Sequence, residues 1–325
     1  MNLKKVRFGI LGPGKIANRF TDSFVHVPDA EVVAVASRDA ERARAFAEKH
    51  AIARHYGSYE KLVNDPDVDI IYVATPHPFH YENTLYCLRA GKAVLCEKPL
   101  AMNYRQAKEM IDTAQQNQVF LMEGMWSRFF PTTHKVLEVL QAGTIGELKF
   151  LDADFGFSAP VNPENRVYNL ALGGGAQLDV GVYPLFLALL VLGKPLAVKS
   201  FSQLASTGAD ATTSVLMQFG GGRLAHIYSS IITDSPKAAH LLGTEGRITI
   251  SAPWHKSQEV IVRMNSGESN HYSFPHSGNG FEFQVAAVAQ CIRDEKKESD
   301  MMPHSLSLIM AETADEILRQ GGVSY

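Results

Sequence analysis

Over the first 124 residues, short and nearly continuous apolar runs alternate with segments of helical periodicity, and few folds accept that pattern. Runs at 7–11, 31–37, 69–74, 93–96 and 119–122 read as strands, and residues 14–25, 39–50, 79–90 and 104–117 read as helices. A strand that is apolar on both faces needs cover on both sides. Strands of this kind separated by helices give a parallel, doubly wound sheet.

After about residue 125 the pattern changes. Alternating strands are expected at 148–157, 197–203, 212–219, 223–232, 238–242 and 260–264, with hairpin turns at Gly220-Gly221-Gly222 and Thr244-Glu245-Gly246. Strands that follow one another without helices point to an antiparallel sheet. Helices at 279–294 and 304–320 complete the chain. The expected architecture is a Rossmann-like domain over 1–124 and an antiparallel α+β domain over 125–325.

Charge and composition narrow the function classes. The net charge is −3 with both signs interspersed, which argues against nucleic acid and charged-surface partners. Three cysteines, Cys87, Cys96 and Cys291, are too few and scattered for a disulfide framework, and a cytoplasmic protein with free thiols is expected. The opening apolar run carries Arg7 and ends in Gly-Pro-Gly-Lys, the mark of a first strand rather than a secretory signal. No segment reads as a membrane span. The greasiest, 185–192, has the length of a core helix.

The run from Gly9 to Ala17 holds G-x-G-x-x-A at Gly12, Gly14 and Ala17, between a strand and a helix. Gly12 permits the tight turn, Gly14 lets backbone approach a pyrophosphate, and the helix start at Lys15 and Ile16 offers N–H groups to it. The second strand ends in Ser37-Arg38, where an NAD site places an acid on the ribose. Arg38 suits a 2′-phosphate and Ser37 adds a hydroxyl, so NADP is favoured and NAD stays possible. In the competing reading Arg38 is solvated and Asp39 takes the ribose, although Asp39 also suits a helix N-cap.

Thr75-Pro76-His77-Pro78-Phe79-His80 follows the next strand, and Thr75, Pro76, His77 and His80 are expected beside the cofactor. Zinc at His77 and His80 lacks a third ligand nearby, so no metal is expected. Glu97-Lys98-Pro99 ends another buried strand. A lysine there is costly to desolvate, and a ligand-facing role accounts for it better than a structural Glu–Lys pair. Further on, Asp179 and Tyr183 stand four residues apart, so one helix face would carry both, and a carboxylate with a phenol is acid–base equipment, although the segment by itself reads better as a core tyrosine with a surface aspartate. Pro184 then implies a short turn before a new helix, or a kink. Trp126 and Arg128 at the junction, and Phe155 on the strand at 148–157, are expected to line a substrate pocket. Phe129 and Phe130 read as core.

In this order, these residues resemble the family of glucose–fructose oxidoreductase, inositol dehydrogenase and MocA, over essentially the whole chain. Ala36-Ser37-Arg38, His77-Pro78-Phe79-His80, the stretch Met125 to Pro131 and the Gly173 to Tyr183 run look most like its dihydrodiol dehydrogenase and NADP-dependent D-xylose dehydrogenase branch. The resemblance implies hydride transfer between NAD(P) and an alcohol or carbonyl. It sets Lys98 and Tyr183 at the reacting oxygen with Asp179 beside them, and Glu97 and Lys98 against the cofactor. It also implies NAD(P) binding by the first domain, a large, open-faced sheet with the substrate and oligomer contacts in the second, and a homodimer or larger oligomer. Many members carry His at the Tyr183 position, and Pro184 departs from their pattern. Two other readings remain: a non-catalytic NAD(P) sensor, and a sugar oxidoreductase that retains and recycles its cofactor.

Overall fold

The computed structural model describes residues 5–325, which form two compact units. One unit runs through Trp126 and takes in Ser277–Ser307. The other is Ser127–His276 with Leu308–Tyr325. A single cut near residue 124 does not anticipate the return of Ser277–Ser307 to the first unit. Backbone bonding seals that return: Leu121 N–H donates to the Lys297 carbonyl at 3.1 Å, and His304 Nε2 bonds the Leu121 carbonyl at 2.8 Å.

The first unit is built on six strands: β1 (Val6–Leu11), β2 (Ala30–Ala36), β3 (Arg54–Tyr56), β4 (Ile70–Val73), β5 (Ala93–Glu97) and β6 (Leu121–Gly124). They pair in parallel in the order β3-β2-β1-β4-β5-β6, so the order reverses between β1 and β4. The intervening helices are α1 (Lys15–Asp22), α2 (Ala40–His50), α3 (Tyr59–Val63), α4 (His80–Arg89) and α5 (Tyr104–Gln116). The helix expected at 14–25 divides into α1 and a 3₁₀ turn, Ser23–His26. The short β3 escapes a pattern search because it is an edge strand with no apolar run. It is held instead by Arg54 and Tyr56 on the Asp65 carboxylate at 2.8 and 3.0 Å.

The second unit opens with α6 (Pro131–Gln141), a helix the sequence reading did not anticipate. Pro131 stands at its first turn, where no N–H is needed. Then follow β7 (Leu148–Gly156), α7 (Val182–Leu192), β8 (Ala197–Leu204), β9 (Asp210–Gln218), β10 (Leu224–Ser230), β11 (Ala239–Gly243), β12 (Gly246–Ile250), β13 (Glu259–Met264) and β14 (Ser269–Ser273). The eight strands order as β14-β13-β12-β11-β7-β10-β9-β8. All neighbours are antiparallel except β7 and β10, so the sheet is mixed rather than purely antiparallel. Parallel neighbours need a long crossover, and here α7, β8 and β9 supply it. The chain ends with α8 (Phe281–Arg293), which belongs to the first unit, and α9 (His304–Gln320).

One face of this sheet carries Val215, Met217, Ala225, Ile227, Leu151 and Leu241, all buried, and α7 packs against β7 and β10. Because α7 is apolar on every side, it can only be a core helix or a membrane span. The helical stretch Leu170–Leu192 does reach the length and composition of a span, which corrects the expectation that no segment would. Its most apolar window is 89% buried within the protein, the setting of a core helix.

Candidate active site

Strand register gathers the predicted cofactor residues along one sheet edge. Ala36, Leu11, Val73, Cys96 and Glu123 form a single row across β2, β1, β4, β5 and β6. Beyond that row the chain continues as Ser37-Arg38, Gly12, Ala74-Thr75, Glu97-Lys98 and Gly124. In a parallel sheet this carboxyl edge, at the point where strand order reverses, is where a ligand crevice forms.

The geometry fits a dinucleotide. Gly12 has φ +95°, and a Cβ there would lie 3.0 Å from Thr75 Cγ2 and 3.2 Å from the Ala74 carbonyl oxygen. Gly14 is the N-cap of α1, no side chain caps the helix, and its first turn holds no acid. The opening N–H groups, including those of Lys15 and Ile16, therefore remain for a phosphate. Asp39 instead caps α2, accepting from the N–H groups of Glu41 and Arg42 at 3.0 and 3.2 Å. The Ser37 hydroxyl accepts from Asp39 N–H at 3.1 Å. Arg38 is exposed, with its guanidinium 5.5 Å from the Phe79 ring centre.

Beside them, Thr75 is half-buried, Pro76 exposed and His77 buried. His80 is fully buried, so it cannot touch a ligand directly, and the expectation that it lines the crevice needs correction. Its Nδ1 bonds the Pro99 carbonyl and its Nε2 the Thr75 carbonyl, both at 2.8 Å. The ring ties the loop after β4 to the turn that carries Lys98. Burial pushes it down to about 4, so it stays neutral at working pH and donates to one carbonyl at a time.

Lys98 follows Glu97, which is 7% exposed and accepts from the Tyr72 hydroxyl and, at 3.3 Å, from the Lys98 N–H. Burial raises the Glu97 carboxyl, while the Tyr72 bond and the Lys98 charge oppose it. Trp126 is also in this unit, stacked on Phe281 at 4.5 Å with Arg19 over its ring.

In the second unit Asp179 lies on a π-helical turn, Gln177–Gly181, that runs directly into α7. π turns recur at functional sites because they re-aim side chains. Tyr183 is the second residue of α7 and Pro184 the third. Gly181 and Val182 keep helical φ/ψ, so the π turn and α7 form one helical run and no new helix starts at Pro184. Asp179 accepts from Arg166 Nη2 at 2.9 Å. The Tyr183 ring meets Phe155 and His255, each at 5.4 Å, and Phe155 stacks on His255 at 4.2 Å. Arg128 is 9% exposed, and burial lowers its ordinarily high pKa. Phe129 and Phe130 are buried as expected.

Sequence reasoning missed Arg166 and His255. Arg166 lies in an exposed loop with no pattern, and His255 sits in a 3₁₀ turn far along the chain from Tyr183. It also missed Asp210, fully buried below the π turn, which accepts from Gln177 N–H at 2.7 Å and the Thr213 hydroxyl at 2.9 Å. Burial pushes Asp210 up to about 6.

A dinucleotide edge on a doubly wound sheet, followed by a mixed-sheet unit with an Asp/Tyr pair at the head of a core helix, defines an NAD(P)-binding oxidoreductase. The chain belongs to the Gfo/Idh/MocA family. Residues 6–125 match its description "Oxidoreductase family, NAD-binding Rossmann fold", and residues 133–249 match "GFO/IDH/MocA C-terminal domain". The chain is similar to trans-1,2-dihydrobenzene-1,2-diol dehydrogenase of Xenopus tropicalis, with 39% identity covering 98% of this chain and 99% of that protein. For the Homo sapiens enzyme of that name identity is 36%, covering 98% of each. Among solved structures it resembles the 3-ketoreductase KijD10 of Actinomadura kijaniata in complex with NADP and TDP-benzene, with TM-score 0.86, 26% identity and 98% of each chain covered. It also resembles aldose-aldose oxidoreductase of Caulobacter crescentus, complexed with glycerol, with TM-score 0.88, 25% identity, and 98% of this chain and 97% of that one covered.

Proposed function

We propose that this oxidoreductase prefers NADP and acts on a CH–OH group, or the matching carbonyl, of a sugar, polyol or vicinal diol. The observation that carries the reading is the single strand-end row from which the glycine turn, Ser37-Arg38, Thr75 and Lys98 all emerge. The names of the relatives, a diol dehydrogenase, a ketoreductase and an aldose oxidoreductase, support the substrate class.

Bound NADP supplies the hydride acceptor, and NADPH the donor. The protein's own task is the proton. In oxidation Tyr183 accepts the substrate's hydroxyl proton, and in reduction it returns it. As the family resemblance implies, Lys98 presents a positive charge to the reacting oxygen, which favours the charge that develops there. Asp179, bonded by Arg166 at 2.9 Å, receives a neighbouring substrate hydroxyl. Trp126, Arg128 and Phe155 bound the substrate. A pure cofactor sensor has no use for such groups. An enzyme that recycles a retained cofactor would use them all, and would leave purification with NADP still bound.

A panel of aldoses, inositols, dihydrodiols and dicarbonyls, followed by NADPH absorbance, tests the class. On the substrate so found, Lys98→Met and Tyr183→Phe should each lower kcat about 10²- to 10⁴-fold with NADPH affinity retained. If Tyr183→Phe keeps full activity across pH, the proton goes elsewhere.

We further propose a cytoplasmic homodimer or larger assembly. Three unpaired thiols suit a reducing compartment. The sheet face opposite α7 carries Phe201, Leu216, Leu224 and Leu242 exposed, with Phe201 at 82%. A second copy is the proposed cover for that face. Light scattering at micromolar concentration should report at least a dimer, and Phe201→Asp with Leu216→Asp should dissociate it. A monomeric wild type contradicts the proposal.

A further inference from the structure

The first unit buries a carboxylate behind Lys98 to which the roles above assign nothing. Glu123, on β6, is 3% exposed, and its Oε1 accepts the N–H of Leu100 at 2.9 Å, two residues beyond Lys98. The next residue, Gly124, lies so close to β5 that a Cβ on it would sit 3.0 Å from the Cys96 carbonyl oxygen and 3.2 Å from Glu97 Cα. The backbone of the Lys98-Pro99-Leu100 turn therefore has three polar holds: Glu97 on the Lys98 N–H, His80 at the Pro99 carbonyl, and Glu123 on the Leu100 N–H. The second Glu123 oxygen has no partner among the described residues, an uncommon state for a buried polar atom.

We propose that Glu123 is a positioning residue for Lys98: its ionised carboxylate grips the Leu100 N–H and fixes the turn that presents Lys98, and its protonation relaxes that grip. This rests on the assignment of Lys98 to the reacting oxygen.

The groups facing Glu123 set where the change falls. Cys96 and Glu97 face it from β5, Lys98 from the turn and Ser307 from α9. On α9 His304 bonds the carbonyl of Leu121, and Tyr72 on β4 bonds Glu97. Desolvation is the largest influence and pushes Glu123 up to about 7, with the Glu97 charge acting in the same direction. The Ser307 hydroxyl, the Leu100 N–H and the Lys98 charge favour ionisation without reversing that. The grip is thus charge-assisted above neutrality and an ordinary neutral hydrogen bond below it.

Glu123→Gln keeps an oxygen for the Leu100 N–H and removes the charge, so it imitates the low-pH state. With the panel compound that turns over fastest, wild-type kcat should rise about fivefold from pH 6 to pH 8, the difference between a neutral and a charge-assisted hydrogen bond. Glu123→Gln should hold the low value throughout, with NADPH affinity unchanged at both pH values. Ser307→Ala removes a hydroxyl whose influence favours the charged form, so it should move the midpoint of the rise to higher pH. Carbon-13 shifts of glutamate carboxyls should show a group that titrates near pH 7 and is missing from Glu123→Gln, whatever the activity. The proposal is overturned if Glu123→Gln keeps the pH rise or Ser307→Ala leaves the midpoint in place. Lys98→Met separates the two levels. If it is inactive at every pH while Glu123→Gln retains the rise, only the positioning role fails. If it stays active, the assignment of Lys98 fails and takes the positioning role with it.

Discussion

Arg38→Ala is the substitution that most directly tests how this chain chooses its cofactor. Arg38 is exposed, so its removal should leave the fold intact. Asp39 cannot readily replace it at the ribose, because its carboxylate is engaged with Glu41 N–H and Arg42 N–H. A guanidinium on a phosphate makes charge-assisted bonds worth about 1.5–3 kcal/mol. Solvent and salt screen an exposed pair, so the lower half of that range applies, and the NADPH Kd should rise about 10- to 40-fold. NADH has no 2′-phosphate and should lose only the ordering of Arg38 over Phe79, 5.5 Å from the ring centre, an exposed contact worth about 0.5–1 kcal/mol, or at most about fivefold. Fluorescence titration of both cofactors at 50 and 300 mM salt measures the difference. The wild-type NADPH Kd should climb with salt, and that dependence should flatten in the variant. Equal weakening of NADPH and NADH would show that Arg38 supports the loop rather than reading the phosphate.

Two further outcomes follow from the second unit. Asp210 has its folded pKa raised to about 6 by burial, so the folded state holds a proton that the unfolded chain releases near 4. Its stabilising contribution is full below about pH 4 and is lost as pH rises through 6, about 3 kcal/mol in all. Asp210→Asn keeps an acceptor for Gln177 N–H and should flatten urea-unfolding stability between about pH 4 and 6, so an unchanged slope would refute the assignment. Arg166→Ala should raise KM for a diol more than it lowers kcat, because Asp179 loses its 2.9 Å partner while Tyr183 is untouched, and initial-rate kinetics would show a kcat effect instead if Arg166 served the proton.

The first unit was legible because its information is local. Apolar runs declared the parallel strands, Gly12, Gly14 and Ala17 declared the turn, and Asp39 suited the helix N-cap that it occupies. The Asp179/Tyr183 spacing was legible for the same reason, since one helical segment carries both. What the sequence could not supply is register and burial. Only strand pairing aligns Leu11, Val73, Cys96 and Glu123 in one row, and so converts four separate motifs into one edge. His80 reads as a ligand-facing imidazole until the fold encloses it completely and sets its ring nitrogens 2.8 Å from two carbonyl oxygens. Periodicity left α6 and the edge strand β3 unseen: β3 has only three residues and no apolar run, whereas α6 does hold Val136, Leu137, Val139 and Leu140 behind its entry proline. The return of Ser277–Ser307 to the first unit, the parallel placement of β10 on β7, and the meeting of Tyr183 with Phe155 and His255 join residues far apart along the chain. Local pattern encodes what each segment can become. Which distant segments meet depends on how the whole chain buries its apolar surface while bonding its backbone, and the tertiary structure alone decides that.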